Sequence, residues 1–309
     1  MIRVENLTKY YGKRLAVDNI SFNVGKGEIV GFLGPNAAGK TTTMRILTGF
    51  LAPTSGDAWV AGYNVLSHSL EARQHIGYFP EAVPLYTDMT VRLYLDFLGR
   101  LRGLDKNRTR TRIEEVVEIC HLEEYIDVLI GKLSKGFRQR VGVAQAIIHE
   151  PEVLILDEPT IGIDPIQVAM TRQLIKELGK ERTILLSTHV LPEVSMTCER
   201  VIIINEGKIV AEDRIENLSS AIGGAKRIRL EIAGPSKQVT QRLRQVGGVL
   251  QVRYDGSQYI IECSAGQDPR GKIMEAIVQS GWTLLSMEFI EMSLEDIFLK
   301  LTTKEETSQ

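Results

Sequence analysis

The sequence predicts an α/β fold with a mixed, mostly parallel core sheet, followed by a smaller α+β unit. Up to about residue 216, short apolar stretches alternate with helical patterns, the signature of strands joined by crossover helices. Three of the stretches, 153–157, 183–187 and 201–205, are almost wholly apolar and rich in β-branched residues, as expected of strands covered on both faces. Beyond residue 225 the order becomes strand-helix-strand-strand-helix-strand, the ferredoxin-like split motif.

Taken in order, the first strand of the core, 28–33 (EIVGFL), runs into a glycine-bearing loop and a helix over 42–47. An insertion over 88–131 follows, inside a helical subdomain at about 88–150. Leu93, Leu95, Leu98 and Leu101 there are expected to supply much of an apolar face. The basic run Arg100, Arg102, Lys106, Arg108, Arg110 and Arg112 is followed by Glu114, Glu115 and Glu118, which reads as a solvated helical face. After the strand at 201–205, the tetrapeptide Asn205-Glu206-Gly207-Lys208 reads as a hairpin turn into 209–211. The first domain is expected to span 1–217, with a small-residue linker at 218–225 and a second domain over 226–304. In that second domain the strands are expected at 227–232, 249–254, 257–263 and 282–290, and the helices at 236–245 and 270–280. Asp255-Gly256 forms the hairpin turn. A last amphipathic helix over 293–301 opens on a cap formed by Ser293 and Asp296, and the tail 305–309 is expected to fray.

Bulk properties exclude several classes. With 37 Lys and Arg against 39 Asp and Glu, the net charge is −2, which argues against a nucleic-acid partner. Cys120, Cys198 and Cys263 are widely spaced and form no CxxC pair, so neither a disulfide framework nor a zinc site is expected, in keeping with a reducing cytosol. No apolar run reaches the roughly 18 residues of a membrane span, and the N-terminus lacks the character of a signal or transit peptide. The expectation is a soluble, cytoplasmic protein that meets any membrane through a partner.

The chemistry begins at Gly34-Pro35-Asn36-Ala37-Ala38-Gly39-Lys40-Thr41-Thr42, a GxxxxGKT loop between a strand and a helix. Backbone N–H groups of such a loop surround phosphate oxygens, Lys40 can reach the β- and γ-phosphates, and the Thr41 hydroxyl can coordinate Mg²⁺. The strand at 153–157 ends in Asp157-Glu158. Asp157 can hold Mg²⁺ through water, and Glu158 is the candidate that polarises an attacking water.

Together with Leu133-Ser134-Lys135-Gly136-Phe137 ahead of that strand, these motifs resemble the ATP-binding cassette (ABC) family over most of the first 216 residues. The resemblance implies a P-loop NTPase of ABC type, with antiparallel strands and a helical subdomain added to the core sheet, working as a head-to-tail pair around two ATP–Mg²⁺. It implies that Ser134 and the helix start at Gly136 meet the γ-phosphate held by the other protomer; a simple Ser-capped helix start is the alternative. It further implies that His189 in LLSTHV contacts the γ-phosphate, that Asp164 communicates between the two sites, and that Tyr11, in preference to Tyr10, stacks on adenine.

Three departures from the family pattern stand out. Ala37 replaces a glycine, at a cost of about 1–2 kcal/mol if the backbone there is left-handed. Glu81 in IGYFPE replaces a glutamine, still able to bind Mg²⁺ but adding charge beside a triphosphate. Lys135 stands in the signature, as a cation toward the partner's γ-phosphate or as a solvated surface lysine. IGYFPE, LSKGFRQRVG and MSLEDIFLKL resemble the gliding-motility and drug and sodium export branch. The expected function is the ATPase subunit of an exporter, driving separately encoded integral membrane permease subunits. A soluble ABC ATPase without transport and a regulatory ATP sensor are the alternatives.

Overall fold

The computed structural model describes residues 1–221, 227–264, 268–290 and 294–303. The chain divides into two compact units, Met1–Asp213 and Arg214–Gln309.

The first unit opens on β1 (Ile2–Tyr11) and β2 (Arg14–Val24), then β3 (Ile29–Leu33) and α1 (Lys40–Leu47). Next come β4 (Ser55–Val60), β5 (Tyr63–Asn64), α2 (Ser69–Gln74) and β6 (Ile76–Phe79). The helical insertion consists of α3 (Val91–Leu101), α4 (Lys106–Ile119) and α5 (Lys135–Ile147). The chain returns to the core through β7 (Val153–Asp157), α6 (Pro165–Gly179), β8 (Thr183–Thr188), α7 (Leu191–Thr197), β9 (Arg200–Asn205) and β10 (Lys208–Arg214).

Two sheets make this unit. The order β10-β9-β3-β8-β7-β6 is parallel from β9 to β6, and an antiparallel sheet β2-β1-β4-β5 lies beside it in the same hydrophobic core. The core strands follow the sequence pattern because both faces are covered: every residue of β7 and β8 is buried. β10 joins the edge through the turn at Glu206 and Gly207, whose φ angles of 47° and 83° suit a tight hairpin. β1 and β2 are not legible as strands in the sequence, for a physical reason. Their register shifts three times, and Asn6 and Asn19 sit at φ 49° and 50°, so the alternation of apolar and polar residues is broken.

Two expectations for the insertion are corrected. Of the four leucines assigned to one face of α3, Leu95 is buried, but Leu93 and Leu101 are 57% and 69% exposed. Two helical steps place Leu93 about 200° around the axis from Leu95, so they cannot share a face. The buried stripe is Val91, Tyr94, Leu95 and Gly99. Arg112, read as part of a solvated face, is 4% exposed; its guanidinium donates to the carbonyls of Ile147 and Ile148 at the end of α5 and pairs with Glu115. There it supplies donors to the helix-end carbonyls that have no partner within α5.

The second unit contains α8 (Ile215–Ala221), β11 (Arg227–Ala233), α9 (Ser236–Arg244), β12 (Val249–Tyr254), β13 (Tyr259–Cys263), α10 (Arg270–Gln279), β14 (Thr283–Ile290) and α11 (Leu294–Thr303). Its antiparallel sheet runs β12-β13-β11-β14, the ferredoxin-like order, with α9 and α10 contributing Val239, Leu243, Ile273 and Ile277 to the core. Asp255 caps the β12–β13 turn by accepting from the amides of Ser257 and Gln258, and Gly256 takes φ 102°. Part of the stretch expected to be linker is helical, since α8 continues to Ala221. Residues 222–226, the cap residue Ser293 and the tail 305–309 lie outside the described residues.

The contact between β6 and α5 is tight enough to test. A Cβ on Gly77 would lie 2.2 Å from the Ala146 carbonyl oxygen and 2.6 Å from a Leu154 methyl. Gly77→Ala is expected to destabilise the protein by about 1–3 kcal/mol, read as a lowered urea midpoint with unchanged slope.

Candidate functional site

The carboxyl ends of β3, β8 and β7 lie side by side, so the residues that follow them converge. After β3 the chain forms the loop 34–39 and enters α1 at Lys40, with Gly39 at the helix start at φ 110°. Only glycine fits at both ends of this loop. A Cβ on Gly34 would meet the Ile204 carbonyl at 2.4 Å, and one on Gly39 the Ala16 carbonyl at 2.6 Å. Ala37 takes φ 65°, so the condition for its backbone cost is met.

Lys40 is 6% exposed. Its ammonium donates to the carbonyls of Gly34 at 2.7 Å and Pro35 at 3.1 Å, and stands 3.4 Å from Glu158 Oε1. Glu158 is 5% exposed and sits at φ 51°, with its amide donating to the Ser187 carbonyl at 3.0 Å. His189 Nδ1 lies 2.9 Å from Glu158 Oε2. Lys40, Glu158 and His189 thus form one connected set contributed by the start of α1 and the segments that follow β7 and β8.

Asp157 is fully buried; its Oδ1 accepts from the Ser187 hydroxyl, while its Oδ2 has no partner. Burial pushes its pKa above the ordinary carboxylate value, hydrogen bonds from Ser187 and Thr41 oppose that, and the charges of Glu158 and Glu81 add to the rise. An orphaned buried carboxylate oxygen, with the Thr41 side chain near enough to lower that carboxylate's pKa, fits a site for a hard cation. Among the described residues no group of three or more His, Cys, Asp or Glu side chains could hold a metal ion by itself. That donor set suits Mg²⁺, which is usually held by one or two carboxylates together with substrate phosphates.

Around this set lies a cleft of about 520 Å³, lined among others by Asn36, Ala37, Gly39, Lys40, Thr41, Thr42, Glu81, Glu158 and His189. Tyr11 lines it and Tyr10 does not, which separates the two tyrosines. Arg14, Ala16 and Ile161 also line the wall, and no sequence motif marks them.

Ser134, Lys135, Gly136 and Asp164 do not line this cleft. Ser134 caps α5 by accepting from the Phe137 amide, and Asp164 caps α6 by accepting from the Gln167 amide at 3.0 Å. Lys135 lies on its own chain against Gly162: a Cβ there would be 2.2 Å from the lysine nitrogen. Gly136 faces the Gln167 side chain, which a Cβ would meet at 2.8 Å.

A family model described as ABC transporter matches residues 17–161. The chain is 38% identical to the bacitracin transport ATP-binding protein of Bacillus licheniformis, over 97% of each sequence. The chain belongs to the ABC transporter ATP-binding family. It is the ATP-binding subunit of an ABC transporter, and an ATPase. The cassette is also 34% identical to the linearmycin resistance ATP-binding protein of Bacillus subtilis, over 98% of each chain. It is 34% identical to a Nod factor export ATP-binding protein of Ralstonia nicotianae, covering 99% of this chain and 94% of that one. Among solved structures it resembles an ATP-binding subunit of an ABC transporter, with TM-score 0.66, 28% identity, and 72% and 93% of the two chains covered. It also resembles a dimeric bacterial ABC transporter cassette, with TM-score 0.63, 26% identity, and 69% and 98% covered.

Glycine at position 37 would relieve the left-handed alanine of the cassette but add freedom to the unfolded chain. Ala37→Gly is expected to raise stability by about 1 kcal/mol or less. A thermal melt of the nucleotide-free protein that drops instead would show that Ala37 is held without strain.

Proposed function

We propose that two copies of this cassette close head-to-tail around two ATP–Mg²⁺, hydrolyse ATP, and drive export through separately encoded membrane subunits. The observation that carries this reading is the division of the site. Lys40, Glu158 and His189 meet in one cleft, while Ser134, Gly136 and Asp164 of the same chain stand outside it. A second copy facing the first in the opposite sense would bring its α5 N-terminus, where free amides favour an anion, to the γ-phosphate.

Within each cleft the loop 34–42 binds phosphates, Lys40 holds the β- and γ-phosphates, and Tyr11 stacks on adenine. Asp157, Thr41 and Glu81 would hold Mg²⁺, which neutralises phosphate charge when bound. Glu158 takes the proton of the attacking water, and His189 holds the γ-phosphate and orients Glu158. The geometry supports these roles because the base and its orienting group are already hydrogen-bonded at 2.9 Å.

Export rests on the relatives' names, which specify bacitracin transport, linearmycin resistance and Nod factor export for those proteins. Among the described residues no helix is long and apolar enough to cross a membrane, so the spanning pathway is assigned to partner subunits at the cytoplasmic face. The exposed apolar side of α3, with Leu93, Phe97 and Leu101, is the surface we assign to that partner. The sensor alternative is disfavoured, because a protein that only bound ATP would have no use for a buried carboxylate aligned by a histidine.

Glu158→Gln tests the reading. Hydrolysis is expected to fall by about 10²–10⁴-fold, with ATP still bound and the protein eluting at twice the monomer mass in ATP–Mg²⁺. Turnover at the normal rate would remove Glu158 from its assigned role.

A further inference from the structure

Glu193, which no motif singled out, has a carboxylate that joins the two segments carrying the reactive pair. It lies in α7 at 4% exposure, and it also lines a cleft of about 410 Å³ shared with Glu158 and His189. Its Oε1 accepts from the Thr160 hydroxyl and its Oε2 from the Thr188 hydroxyl, the latter at 3.0 Å. Thr188 Oγ1 also accepts from the Val190 amide at 3.0 Å, so its proton is left to go to Glu193. Thr160 follows Glu158 by two residues, and Thr188 immediately precedes His189. Both threonines are buried, at 6% and 0% exposure.

We infer that Glu193 is a positioning residue for ATP hydrolysis, fixing Glu158 against His189 through Thr160 and Thr188. The inference rests on the proposed roles of Glu158 and His189. A buried carboxylate without a hydrogen-bonded cation is costly, and an apolar side chain would pack there with less penalty. What the carboxylate supplies is two acceptor oxygens aimed in different directions. One holds the turn after Glu158, whose backbone sits at φ 51°; the other holds the end of β8. Releasing either lets the pair drift, and a displacement of about 1 Å at a reacting group costs on the order of 10²-fold in rate. ATP binding is largely kept, because the loop 34–42, to which most phosphate contacts are assigned, makes no hydrogen bond to Glu193.

The test compares steady-state ATP hydrolysis by the purified full chain with residue 193 or 160 changed. Glu193→Ala is expected to lower kcat by about 10–100-fold with KM for ATP within about twofold. Glu193→Gln keeps one acceptor oxygen and an amide donor for the second hydroxyl, and should recover most of kcat. Thr160→Val, close in shape, should lower kcat with KM unchanged, and combining it with Glu193→Ala should add little. A normal kcat in Glu193→Ala overturns the inference, as does a fall matched by an equal loss of ATP binding. Glu193→Gln falling as far as Glu193→Ala overturns it too. If Glu193→Ala does not fold, Thr160→Val decides: reduced kcat at constant KM supports the inference, normal kcat overturns it. Failure of Glu158→Gln to slow hydrolysis would sink the proposed site itself, whereas indifference at positions 160 and 193 sinks only this step.

Discussion

The pair formed by Lys40 and Glu158, 3.4 Å apart and each almost removed from water, is the interaction on which the site depends. Each charge would be expensive in such a place alone, and deleting either would strand the other. The surroundings are otherwise acidic, with Glu158 and Glu81 close enough to add to the cost of ionising Asp157. Lys40 therefore serves two ends. It balances the neighbouring carboxylates, and it sits at the end of the loop to which phosphate binding is assigned. A triphosphate with its cation brings both signs of charge into the same space, so binding can proceed without leaving any of these groups uncompensated.

From that pair, constraint passes outward through hydrogen bonds to the helical insertion. The chain after Glu158 runs through Ile161, whose carbonyl accepts from Gln139 Nε2 on α5. Gln167, at the start of α6, packs over Gly136 and accepts from Arg140 at 3.0 Å. The helix that begins at the signature is thereby tied, at Gly136, Gln139 and Arg140 in its first two turns, to the segment that runs from Glu158 past Asp164 into α6. Lys135 resting on Gly162 adds to the same contact. The altered signature residue thus has an intrachain neighbour in Gly162.

How much of this the chain announces depends on the kind of constraint. Strands β7, β8 and β9 are legible because burial on both faces leaves nearly continuous apolar runs, and the glycine loop is legible because its spacing is dictated by phosphate geometry. The face of α3 is misread since leucine counts alone do not distinguish Leu93 from Leu95, two helical steps apart. Arg112 looks like its solvated neighbours; its burial comes from the end of α5, thirty-five residues away, whose carbonyls need a donor. Glu193 is invisible for the same reason. Nothing local distinguishes it from a surface glutamate, because its partners are supplied by the ends of β7 and β8.

Strain at the site has a distribution that follows from these ties. Ala37 and Glu158 both adopt left-handed backbone conformations at φ 65° and 51°, which non-glycine residues occupy at a cost of about 1–2 kcal/mol each. Such conformations persist where the surroundings over-determine them. For Glu158 they do so fully: its amide is held by Ser187, its side chain by Lys40 and His189, and the following turn by Thr160 on Glu193. Ala37 has far less around it, being exposed and lacking a polar side chain to anchor. The two strained positions should therefore behave differently. At Glu158 the cost is locked in by many bonds and serves to aim a carboxylate; at Ala37 only the shape of the phosphate loop maintains it.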